Sequence, residues 1–137
     1  MRVLIADNEP KVRSALRLWL AEVLALQIIG EVEDVWTLFD SLNTVQPDVL
    51  LLDLVLAGLT LCGTLPQVLT AVRQVYPGLA VIGLSPTLNR VSSSPAIGVD
   101  AWVSKLEPPD QLGQILQQMQ GAARRVDSGS PTLSSSA

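Results

Sequence analysis

Apolar and polar positions along the chain alternate between short apolar runs and helical stripes. Val3-Leu4-Ile5-Ala6 is continuously apolar, as in a strand covered on both faces, and it stops at Asp7-Asn8-Glu9. Pro10 suits the first turn of a helix, where its missing N–H costs nothing. Val12, Ala15, Leu16, Trp19, Leu20, Val23 and Leu24 recur at helical spacing, which predicts a helix from Lys11 to Leu26. A strand is expected at Ile28–Val32 and a helix at Val35–Leu42, with Asp34 as its N-cap. Pro47 introduces Asp48-Val49-Leu50-Leu51-Leu52-Asp53, the clearest buried-strand pattern. A helix at Leu65–Val75 then stops at Tyr76-Pro77-Gly78. Strands are expected at Leu79–Leu84 and Ala101–Ser104, and an amphipathic helix at Pro108–Met119. From Asp127 the chain is mostly Ser, Gly, Pro and Thr, a flexible-tail composition.

Strands alternating with helices predict a parallel α/β sheet, because parallel neighbours need crossover connections. Ligands of such sheets bind beyond the carboxyl ends of the strands. The residues there are Asp7 and Asn8, Asp53, Ser85 and Lys105.

Composition narrows the chemistry. The 137 residues suffice for one domain, and 48% hydrophobic against 16% charged residues marks a globular chain. There is no histidine and one cysteine, Cys62, which excludes Ser-His-Asp and Cys-His nucleophiles, His-ligated metals and an internal disulfide. A net charge of −4 without a basic stripe argues against direct DNA binding by this chain. The four apolar residues before Asp7 are too few for a signal peptide, and Asp53 interrupts the long apolar stretch from Val49 to Leu65. A soluble, cytoplasmic protein is expected, with no membrane partner. Trp19 and Trp36 read as helix packing residues, Cys62 as a small loop hydrophobe, and Leu54–Leu61 as loop packing.

Carboxylates converging at one sheet edge repel unless a cation joins them. Asp7, Glu9 and Asp53 offer oxygen ligands only, which suits Mg²⁺. With a lysine and a hydroxyl nearby, the set looks like a phosphoryl-transfer site in which Asp53 is the nucleophile, Lys105 pairs with a phosphoryl oxygen and Ser85 donates a hydrogen bond.

At these residues the chain resembles the response-regulator receiver domain of two-component signalling. The matching pieces run Arg2 to Pro10, Gln46 to Leu54, Ile82 to Ser85 and Gly98 to Lys105, in the family's order and spacing. The resemblance covers residues 1–121, leaving 122–137 as a Ser-rich tail or linker. It implies a doubly wound, flavodoxin-like parallel sheet of five strands in the order 2-1-3-4-5, an order for which the chemotaxis receiver is a standard example. It further implies that Asp53 accepts a phosphoryl group from a sensor histidine kinase or phosphotransfer protein, which supplies the histidine this chain lacks. Mg²⁺ (or Mn²⁺) would be held by Asp7, Asn8, Asp53 and the Val55 backbone carbonyl, with Glu9 as a further donor. Ser85 matches the switch hydroxyl, Lys105 the conserved-type lysine and Trp102 the switch aromatic. The implied output is a reshaped face of fourth helix, fifth strand and fifth helix, read by a downstream protein, an effector domain or a second copy of the chain.

The chain departs from the family pattern at Asn8, where an acid is usual, and at Pro86, which lacks the usual N–H. Ser92-Ser93-Ser94-Pro95 predicts an irregular fourth helix. Two alternatives stay open. One is a pseudo-receiver, a non-phosphorylated interaction module on the same fold. The other is a small Asp-nucleophile phosphatase, which would require an acid where Val55 stands. The receiver itself is not classed as an enzyme. The tail either ends a stand-alone receiver or leads to an effector domain, through which transcription would be regulated.

Overall fold

The computed structural model describes residues 1–23, 25–86 and 98–121. Five strands, β1 (Arg2–Ala6), β2 (Gln27–Val32), β3 (Val49–Asp53), β4 (Ala80–Ser85) and β5 (Ala101–Ser104), form one sheet. Their order is β2-β1-β3-β4-β5 and every pairing is parallel, as expected for the doubly wound fold. The helices are α1 (Pro10–Val23), α2 (Val35–Val45), α3 (Leu65–Val75) and α4 (residues 110–121), with a 3-10 turn at Leu59–Cys62. The segment expected to form the family's irregular fourth helix, and the tail from residue 122, lie outside the described residues.

Side chains alternate across the sheet because successive strand residues point to opposite faces. Val3, Ile5, Val49, Leu51, Ile82 and Leu84 pack with Leu20, Leu112 and Leu116 from α1 and α4. Leu4, Ala6, Leu50, Leu52 and Val81 pack with Leu38, Leu42, Val68, Leu69 and Val72 from α2 and α3. The central strands are therefore apolar over Val3–Ala6 of β1 and Val49–Leu52 of β3, having no solvent face there.

Local chemistry sets the helix ends. Asp34 caps α2 as expected, its carboxylate accepting the Thr37 N–H at 2.8 Å. That helix continues three residues past Leu42 to Val45, and Gln46 closes it in the left-handed region at φ 49. The other end effect runs the opposite way. α1 stops at Val23, short of the expected Leu26, because Ala25 turns left-handed at φ 52 and Leu26 is drawn into the core before β2. α3 opens with a reciprocal capping box: Thr64 Oγ1 accepts the Gln67 N–H, and Gln67 Oε1 accepts the Thr64 N–H at 3.0 Å. α4 begins at residue 110, because Pro108 and Pro109 carry no N–H and Gly113 makes its bond to the Pro109 carbonyl at 2.9 Å.

The tryptophans divide. Trp19 is half-buried and packs against α4 where Gly113 leaves room; a Cβ there would stand 2.8 Å from its ring. Trp36 is 57% exposed, against the expectation of a packing residue, and lays one edge of its ring over Gly58. In the apolar loop Leu56 and Leu59 are buried, whereas Val55 and Leu61 are exposed and Cys62 lies at the surface.

Leu50→Ala is expected to lower unfolding free energy by about 2–5 kcal/mol and Thr64→Ala by about 1 kcal/mol, measured by urea denaturation.

Candidate functional site

Strand register assembles the site. Ala6 pairs with Leu52, so the next residues, Asp7 and Asp53, emerge side by side from β1 and β3. Asp53 pairs with Leu84, placing Ser85 one step beyond on β4. Ser85 pairs with Ser104, and the Lys105 N–H donates to the Ser85 carbonyl at 2.8 Å. Four residues far apart in sequence thus share the carboxyl edge of the sheet.

Asp7 and Asp53 are both fully buried. Between them lies the Lys105 ammonium, 2.7 Å from Asp7 Oδ2 and 3.0 Å from Asp53 Oδ2. Burial pulls the Lys105 pKa down, but hydrogen bonds to Asp7 and Asp53, together with their charges, outweigh it and raise the pKa above the ordinary 10.5. Two buried acids meeting one cation leave the cluster with an excess negative charge. Glu9 stands at its rim, 65% exposed by side chain, with Oε1 3.7 Å from the ammonium.

Backbone donors orient both carboxylates. Asp7 Oδ1 accepts the Glu9 N–H at 2.8 Å, and Asp53 Oδ1 accepts the Val55 N–H at 3.0 Å. Asn8 is exposed and turns onto the loop after β3, its Nδ2 donating to the Val55 carbonyl at 2.9 Å and its Oδ1 accepting the Ala57 N–H at 2.7 Å. Ser85 is buried at the end of β4, and exposed Pro86 follows it. Trp102 is half-buried on β5 against the α2–α3 core.

Two contributors escape a reading by charge and motif. Ser104 Oγ accepts the Leu106 N–H at 3.1 Å, a local turn that holds the chain as it passes Lys105. A serine just before the lysine, at a strand end, is the signal for it. Arg13, on the first turns of α1, donates from its guanidinium to the Asp7 carbonyl and pairs with Glu31. Nothing in the helical pattern distinguishes it from a solvated arginine.

The donor set fits a hard divalent cation in kind: two carboxylates and a backbone carbonyl, all oxygen. Asp7 Oδ2 is sealed from solvent and pairs with the Lys105 ammonium at 2.7 Å, one contact where a carboxylate oxygen can take two. Such an oxygen has capacity left for a cation. Among the described residues no set of three or more His, Cys, Asp or Glu side chains is placed to hold a metal ion.

No known family profile matches the chain. The transcriptional regulatory protein RcsB of Escherichia coli strain K12 is 28% identical over 122 residues, covering 88% of this chain and 56% of the relative. The chain thus spans about half the length of the curated relatives it matches. The isolated receiver domain of RcsB from Salmonella enterica serovar Typhimurium, solved with the phosphomimetic BeF3−, superposes with a TM-score of 0.75 at 25% identity, covering 88% of each chain. A DNA-binding response regulator of the LuxR family from Staphylococcus aureus shares the fold, with a TM-score of 0.72 at 18% identity over 85% of this chain and 96% of that one. Among the described residues no helix is long and apolar enough to cross a membrane.

Lys105→Met removes the one cation between two buried acids. A loss of about 1–3 kcal/mol is expected near neutral pH, allowing for the water that reaches the ammonium. Because the folded pKa lies above 10.5, the lysine contributes fully below that value and its contribution fades as pH rises through the raised pKa. Denaturation curves of the two proteins should therefore differ at pH 7 and approach each other only as pH rises through the raised Lys105 pKa.

Proposed function

From the chain's homology to the receiver domain of response regulators, we propose that it accepts a phosphoryl group on Asp53 and signals by a change in its surface. The strongest support is the position of the Asp53 carboxylate, at the carboxyl edge of a parallel sheet beside Asp7 and 3.0 Å from Lys105. An Asp53 oxygen attacks phosphorus while the bond to the donor's leaving atom breaks, and the leaving group departs with that electron pair. The donor is a sensor histidine kinase or phosphotransfer protein, or a small acyl phosphate in vitro. Lys105 exchanges its contact with Asp53 Oδ2 for one with a phosphoryl oxygen, and Ser85 donates a hydrogen bond to another.

Asp7, Asp53 and the Val55 carbonyl would hold Mg²⁺ (or Mn²⁺), with Asn8 and Glu9 at the rim; bound there, it would offset phosphoryl charge that Lys105 alone leaves uncompensated. The acyl phosphate shifts Ser85 and Trp102 together, and the altered face is read by a downstream protein, an effector domain or a second copy. The curated relative is named a transcriptional regulator and is longer than this chain. Control of transcription accordingly falls to a DNA-binding partner or domain, in keeping with this chain's net charge of −4.

A non-phosphorylated interaction module is the second function to weigh. It is favoured by the engagement of Asn8 with the Val55 carbonyl and by Pro86, which cannot offer an N–H to a phosphoryl oxygen.

Incubation with Mg²⁺ and acetyl phosphate or phosphoramidate, followed by intact mass measurement, separates the two. A phosphoryl adduct is expected on the wild-type chain and not on Asp53→Asn. Absence of the adduct, together with unchanged Trp102 fluorescence in beryllofluoride, would overturn the phosphoacceptor function.

A further inference from the structure

Asn8 makes two bonds of which a carboxylate could reproduce only one. Its Nδ2 donates to the Val55 carbonyl and its Oδ1 accepts from the Ala57 N–H. A carboxylate could accept from Ala57, but it has no hydrogen to give Val55 and would face that carbonyl with like partial charge. The same loop is gripped from its other side. The Ala57 carbonyl accepts the Val35 N–H at 2.9 Å, and Asp34 and Ala57 form an isolated parallel bridge. Gly58 follows at φ +83 beneath Trp36, whose ring would stand 2.6 Å from any Cβ placed there. The segment after Asp53 is thus pinned between the end of β1 and the start of α2.

The carbonyl that Asn8 holds is the one assigned above to the divalent cation. An N–H donor and a cation both bring positive charge to a carbonyl oxygen, so each repels the other there. Asn8 and Val55 are exposed, whereas Asp7 and Asp53 are sealed, so this contact lies on the open side from which a hydrated ion arrives.

We propose that Asn8 is a positioning residue, a latch on the loop after β3 that competes with a divalent cation for the Val55 carbonyl instead of ligating it. The inference rests on the cation-dependent function proposed above. Binding of the ion releases the Asn8 amide, which frees the Ala57 N–H and loosens the loop beneath Trp36. A latch of this kind holds the loop after β3 in place until a cation displaces the amide.

The test uses the full chain and Asn8→Ala, with Asn8→Ser as the replacement if the alanine variant is unstable. Mg²⁺ affinity is measured by calorimetry, and exchange of the Ala57 amide proton by NMR. Removal of a competing hydrogen bond is expected to tighten Mg²⁺ binding by about three- to tenfold. Ala57 exchange should quicken in the ion-free variant, and also in the wild type when Mg²⁺ is added. A coordinating amide predicts the reverse order of affinities. Equal or weaker Mg²⁺ binding in the variant, unchanged Ala57 exchange, or no Mg²⁺ binding by either protein overturns the latch. The phosphoryl-adduct assay keeps the two proposals apart. An adduct with weakened variant binding rejects the latch alone, and no adduct with tightened variant binding rejects the phosphoacceptor function alone.

Discussion

One ammonium between two buried carboxylates is the constraint on which the rest of the site depends. Asp7 and Asp53 have no solvent contact, and burying two such charges together is costly unless a cation offsets them. Lys105 offsets one charge and leaves the other. The remaining negative charge stays at the edge of the sheet, where Asp7 Oδ2 and Asp53 Oδ2 share the single ammonium at 2.7 and 3.0 Å. Stability has been given up locally for this. Two apolar residues at positions 7 and 53 would extend the apolar runs Val3–Ala6 and Val49–Leu52 that precede them.

The sheet makes that arrangement affordable by spreading its parts over separate strands. Parallel pairing brings the carboxyl ends of β1, β3, β4 and β5 to one edge, so side chains up to 98 positions apart, as Asp7 and Lys105 are, become direct neighbours. Both faces of the sheet are covered, one by α1 and α4 and the other by α2 and α3, which holds the edge residues in register. Charge at the edge and apolar packing behind it are two aspects of one topology.

The loop after β3 is where this chain differs from an all-acidic site. Asn8, Val35 and Trp36 hold it by an amide on Val55 and Ala57, a backbone donor on the Ala57 carbonyl and a ring over Gly58. Asn8 in the sequence reads as a weakened acid, one formal charge short. In three dimensions its amide donates to the Val55 carbonyl, a bond a carboxylate could not make. Trp36 shows the same gap. Its spacing fits a helix stripe, yet most of the ring faces solvent and only one edge covers Gly58.

By itself, the sequence determined the order of elements and the identity of the edge residues. Continuous apolar runs ending in Asp7, Asp53 and Ser85 are local patterns, and a strand buried on both faces can produce them without reference to its neighbours. Helix boundaries were legible only where a side chain marks them: Asp34 does so for α2, whereas Gln46 and Ala25 end or bend the chain through backbone angles that their side chains do not announce. Tertiary structure alone decided which groups meet. The distances from Lys105 to Asp7 and Asp53, the turning of Asn8 toward Val55 and the exposure of Glu9 all follow from strand register and loop path. Those are set by packing across the whole sheet, and no stretch of residues short enough to show a pattern contains them.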